Sequence, residues 1–120
     1  MFRNLDDFFN AWDYQSKATI KTLRELTGGG QAVHETAENQ AVADVADAVR
    51  AGWTDAQLTD TIPMYGEMWT KAGVLGALIS HQCHHRGQMT VLMRQAGLRV
   101  PGIYGPSREE WGAFGAEPQP

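Results

Sequence analysis

Two histidines, His81 and His85, stand four residues apart in the segment His81-Gln-Cys-His-His85-Arg-Gly-Gln. On a helix, side chains four apart share a face, with Cβ atoms about 6 Å apart. Two imidazoles so placed can reach one divalent ion, as in other helical two-histidine sites. A catalytic zinc-type centre wants a third protein ligand and an open position. His34 is the one further histidine free to serve, and Tyr65 and Glu67 are other candidates. His84 is turned about 100° from His85 and cannot join the same ion. Cys83 lies two residues from both imidazoles and points away from them, which suits a small buried hydrophobe. Arg86 is a candidate contact for a carboxylate or an anionic substrate, or a structural cation. Gly87 and Gln88 suit close helix packing and an interhelical hydrogen bond. The bland alternative for the pair is two histidines that only bond to core partners.

A helix must carry these groups, and the pattern supplies one. Leu75, Leu78, Ile79, Gln82, His85, Met89, Leu92, Met93 and Ala96 recur at helical spacing. That predicts a helix over residues 67–96, stopped by Gly97, with His85 on its core stripe and His81 on the flank. Both rings are then expected to point between helices. Asn4 caps a first helix with Asp6 and Asp7 in its first turn. Its face is Leu5, Phe8, Phe9, Trp12, Ile20, Leu23 and Leu26, weakened by Ser16 and Thr19. Gly28, Gly29 and Gly30 end it. A second helix is predicted over residues 31–51, with Val42, Val45 and Val49 as a thin stripe, and Thr54 caps a short turn through Leu58. Residues 60–64, with Pro63, read as a connection. Turn signals at Pro101-Gly102 and Gly105-Pro106 break the tail, and Ser107 with Glu110 forms a capping box for a short closing helix around Trp111. Trp12, Trp53, Trp69 and Trp111 read as core anchors. No segment alternates like a strand. The expectation is an all-α up-down bundle, one domain over residues 1–120, irregular from about residue 98.

Bulk properties narrow the function. The 120 residues are 42% hydrophobic, which suits one globular core. Lys and Arg number 10 against 14 Asp and Glu, a net charge of −4 that argues against nucleic acid as partner. A single cysteine offers no disulfide framework. The start is acidic, unlike a signal peptide, and the longest apolar run (residues 72–79) is too short for a bilayer. A cytoplasmic protein without a membrane partner is expected.

The run from His81 to Met89, followed by Leu-Met-Arg-Gln-Ala-Gly-Leu and Val100-Pro-Gly-Ile-Tyr-Gly-Pro, closely resembles the C-terminal signature of the DinB (DinB/YfiT-like) family. The likeness is strongest over residues 53–111. Leu5-Asp-Asp-Phe-Phe to Leu26-Thr27 also resembles the family's first helix. The resemblance implies an up-down-down-up four-helix bundle, usually a homodimer, with a divalent metal on three histidines, two of which match His81 and His85. It further implies chemistry such as metal-dependent thiol S-transfer, maleylpyruvate-type isomerisation or hydrolysis, with zinc or nickel and a thiol cosubstrate as cofactors. The family's third histidine sits in a Trp-His context that this chain lacks. Between residues 27 and 53 the chain is short by about one helix and its loop, and the helix over 31–51 corresponds to the family's third. Three helices leave an open face, so dimerisation is expected, with the site completed across the interface. The competing expectation is a non-catalytic dimerisation or stress-response protein with a degenerate metal site.

Overall fold

The computed structural model describes residues 2–26 and 32–118, and side chains except those of residues 26 and 32–38. Three long helices dominate: α1 (Leu5–Leu26), α2 (Ala32–Gly52) and α3 (Lys71–Gln95). Asn4 caps α1 as its sequence foretells, its Oδ1 accepting from Asp7 N–H at 2.8 Å. A second cap comes from far along the chain, where Asp55 Oδ1 accepts from the Leu5 N–H at 2.8 Å. That bond ties the short 3₁₀ turn Asp55–Thr59 to the start of α1.

α1 is the central element and packs on both other helices. The core joins Leu5, Phe8 and Trp12 of α1 to Ala46, Leu58, Ala72 and Leu75. Phe8 and Trp12 stack at 5.9 Å, and Trp12 Nε1–H donates to the Val42 carbonyl at 3.0 Å, so that one side chain packs the core and fastens α2. Trp53 packs against the same core, in line with its expected role. Further along α1 the buried face turns polar, with Ser16, Thr19 and Thr22 inside. Thr19 and Thr22 answer their hydroxyls locally, on the carbonyls of Gln15 and Ala18.

The all-α expectation needs one correction. Residues 61–64 and 67–70 form an antiparallel hairpin, β1 (Thr61–Met64) and β2 (Glu67–Thr70), with Met64 opposite Glu67. Two residues remain for the turn, Tyr65 at φ 52° and Gly66 at φ 85°, which is the double left-handed geometry of a tight hairpin. Pro63 is tolerated because each strand of a two-stranded ribbon is an edge. The segment is mostly exposed on both faces, so it shows no clean alternation, and Tyr-Gly is not the usual turn pair. The hairpin also takes the residues expected to open the third helix. α3 starts instead at Lys71, where the Thr70 hydroxyl accepts from Gly73 N–H at 3.0 Å.

α3 ends as expected. Gly97, at φ 74°, lets Leu98 N–H reach the Met93 carbonyl at 2.9 Å and its own N–H reach Arg94 at 3.1 Å, a Schellman closure. The tail then folds back. Lys21 of α1 holds the Gly102 carbonyl at 2.7 Å, and Glu110 takes the Gly102 N–H at 2.9 Å. A Cβ on Gly102 would lie 2.6 Å from Glu110 Oε2 and collide with the Gly105 carbonyl, so no other residue fits. The capping box expected from Ser107 and Glu110 does not form in full. The Ser107 hydroxyl makes no cap bond, and the closing element is a 3₁₀ helix, Arg108–Phe114.

Candidate metal centre

On α3 the buried positions are Ala72, Leu75, Arg86 and Met93. Leu75 and Met93 belong to the stripe expected, but the face as a whole is turned by about 50–60° from it, toward Arg86 and away from His85 and Leu92. Leu92 is 64% exposed, and His81 and His85 stand on the outer surface rather than between helices. The physical reason is Arg86. Its guanidinium is drawn into the α1–α3 contact, and a rigid helix then carries positions 81 and 85 outward.

The two imidazoles nonetheless converge. His85 Nε2 and His81 Nε2 are 3.0 Å apart, with the rings edge to face at 4.4 Å. His85 Nδ1 lies 3.0 Å from Gln88 Oε1. With that amide oxygen as acceptor, Nδ1 carries the proton and the Nε2 lone pair faces His81. This is the outer-shell arrangement that fixes the tautomer of a metal-ligating histidine. Two nitrogens on one tetrahedral ion, each at about 2.0–2.1 Å, are separated by roughly 3.3–3.4 Å. A few tenths of an ångström of ring rotation would open the pair enough, so the donors present fit a divalent ion with two of its ligands.

The other candidates fall elsewhere. The His84 ring sits 5.3 Å from that of His85 and outside the pair. Glu67 Oε2 is engaged by Trp69 Nε1–H at 3.0 Å, and Tyr65 is 89% exposed at the hairpin tip. The His34 side chain lies outside the described residues. Among those described, no three His, Cys, Asp or Glu side chains converge on one point.

Arg86 is not beside the imidazoles. It is 3% exposed and turned about 100° from His85 around α3, with no carboxylate among its described partners. Nη1–H donates to the Gln15 carbonyl at 2.9 Å and to Thr19 Oγ1 at 3.3 Å. Nη2–H donates to Gln15 Oε1 at 2.6 Å and Tyr104 Oη at 2.5 Å. Tyr104 Oη–H in turn donates to Gln15 Oε1 at 2.7 Å. Burial and then the hydrogen bond with Cys83 hold the Tyr104 phenol above its ordinary value. Cys83 points away from the histidine pair, as expected. It is half-buried and polar in its contacts, with its thiol 3.2 Å from Gln15 Oε1, so the simple-hydrophobe reading is set aside. Gln15 was not singled out from the sequence. The polar run Gln15, Ser16 and Thr19 on an otherwise apolar face was the available signal, because buried hydroxyls and amides imply a polar partner.

A long helix with paired outward histidines, pinned by an inward arginine and a folded-back tail, defines a mostly helical DinB-like fold. The DinB family model matches residues 31–119, and the chain belongs to that family. It is 36% identical to "Uncharacterized protein YrdA" of Bacillus subtilis (strain 168) over 163 aligned residues, covering 98% of each chain. That alignment is longer than the 120 residues here, so YrdA has residues without a counterpart in this chain, in keeping with the expected shortening. A crystal structure of a DinB-like protein from Bacillus cereus ATCC 10987 superposes with a TM-score of 0.69 at 28% identity, covering 87% of this chain and 100% of that one. No helix among the described residues is long and apolar enough to cross a membrane.

Proposed function

We infer that this chain binds one divalent metal ion, zinc or nickel, through Nε2 of His81 and His85, and that the centre serves a metal-dependent transferase or hydrolase reaction. The observation carrying this reading is the 3.0 Å convergence of the two Nε2 atoms with Gln88 holding the outer nitrogen of His85. When bound, such an ion lowers the pKa of a coordinated thiol or water and supplies a nucleophile near neutral pH. The chain's own part is to aim the two lone pairs, through the Gln88 contact and the rigidity of α3. Arg86, on the inner face of the helix, keeps α3 in that rotation rather than touching a substrate. The remaining protein donor is assigned to His34 or to a second copy. The chain is read as one domain of the up-down bundle type, in a cytoplasmic setting that suits its free thiol.

The test is elemental analysis and calorimetry on protein purified without a histidine tag. Stoichiometric zinc or nickel is expected, lost in His81→Ala and in His85→Ala, with chelator lowering the melting temperature. Absence of metal, or metal content unchanged in His85→Ala, overturns the reading.

A non-catalytic homodimer is the second reading. Val91 at 57% exposed and Leu92 at 64% support it, since they place apolar surface on the outer side of α3. It predicts dimers in light scattering that persist in chelator, whereas monomers under all conditions refute it.

A further inference from the structure

The hairpin and α3 form a half-open cavity of about 330 Å³ next to the histidine pair. Its walls include Tyr65, Trp69, Val74, Ala77, Leu78 and His81, and no lining side chain is an acid, a lysine or an arginine. Small-molecule sites begin at roughly 300 Å³, and a dry cavity of about 150 Å³ suffices for benzene. The space therefore suits one aromatic ring plus a short head group. Trp69 Nε1–H is already engaged by Glu67, which leaves its ring as wall rather than as donor. His81 is the one imidazole in the lining, and its Nε2 belongs to the converging pair. A ring lodged against Trp69 would carry its head group toward those two nitrogens.

Tyr65 is the second, independent observation. It holds φ 52° at the first turn position, where Asn, Asp or Gly is normal, and a bulky side chain there is an outlier. Its ring is almost wholly exposed and meets Trp69 edge to face at 6.0 Å. Core packing gives no reason to keep a strained, solvent-facing phenol at the mouth of an apolar cavity. Displaying an aromatic surface to a ligand does.

We propose that this cavity is a binding site for small aryl or arylalkyl compounds bearing a metal-seeking head group, with Tyr65 and Trp69 as its aromatic clamp. The ring's place stands on the cavity alone, and only the head group's place rests on the proposed metal reading.

The experiment is fluorine NMR on tag-free protein. In the metal-free protein, para-fluorobenzyl alcohol tests the ring by itself. Tyr65→Asn removes the phenol while installing the favoured Asn-Gly turn, and Ala77→Phe fills the cavity. Both are expected to weaken binding by about fivefold or more, with the melting temperature of Tyr65→Asn at or above that of the parent. With zinc added, para-fluorobenzohydroxamate should bind about tenfold more tightly than the alcohol, a gain lost in His85→Ala. Failure of the alcohol to bind, or equal binding in parent and Tyr65→Asn, overturns the site whatever zinc does. Ring binding that depends on Tyr65, without any gain from zinc, keeps the aromatic site and overturns the metal reading.

Discussion

Replacing Arg86 by lysine tests how the inner face of α3 is held. The guanidinium reaches two atoms of Gln15 and the hydroxyls of Thr19 and Tyr104 in one fork, at 2.5 to 3.3 Å. A lysine has three donors at a single point on a different reach, and keeps one or two of these bonds. A hydrogen bond from a charged donor contributes about 1.5–3 kcal/mol, and a buried acceptor left bare adds to the loss. Losing about two bonds gives a destabilisation of roughly 3–6 kcal/mol, or on the order of 15 °C in melting temperature for a chain of this size. Urea denaturation with an unchanged m-value would read it directly. Tyr104→Phe removes one arm of the same network, so the two substitutions should couple by about 0.5 kcal/mol or more in a double-mutant cycle. A loss below about 1 kcal/mol for Arg86→Lys, or strict additivity with Tyr104→Phe, would refute the network as the element that fixes the helix rotation.

Gly102→Ala should destabilise by about 2–3 kcal/mol, because its Cβ has no room, and the tail amides from residue 102 onward should lose hydrogen-exchange protection. Gln88→Ala should lower zinc affinity by about 10- to 100-fold in calorimetry while leaving the fold unchanged, as the loss of an outer-shell partner does. The Glu109 carboxyl is held down at about 2 from an ordinary 4.5, chiefly by hydrogen bonding from Arg94. Its contribution is therefore full above pH 4.5 and disappears as pH falls toward 2, so Glu109→Gln should flatten the acid limb of a stability–pH curve in that window. The effect on melting at neutral pH should be small, since the pair is partly exposed, and identical acid limbs in the two proteins would count against it.

Helix existence was readable because each helix carried its own punctuation. Asn4 with Asp6 and Asp7, and Gly97 after Arg94, act within one turn, and the structure ends the helices at or beside those marks. Rotation about the helix axis was not readable for α3. Its apolar residues surround most of the circumference, so the stripe through His85 and the stripe through Arg86 were both available. Burying the charged one wins only because Gln15, Thr19 and Tyr104, up to 71 residues away, supply neutral acceptors around it. The hairpin escaped for a related reason, since four-residue strands with exposed side chains bury little and leave no pattern. The spacing of His81 and His85 survived the rotation, because separation along a helix does not depend on which way the helix faces. Glu110 shows the limit of local motifs: its carboxylate, matched to Ser107 by spacing, also reaches Gly102 eight residues back.

The inward anchor of α3 leaves an outer strip running through positions 81, 85, 88 and 92 that the interior does not constrain. Donors can be exchanged along that strip, as in Gln88→His or Leu92→His, with the scaffold's fastening untouched. Such a division would let a chain shortened elsewhere retune its coordination set by single substitutions, and it makes α3 a ready-made rail for grafting a three-ligand centre.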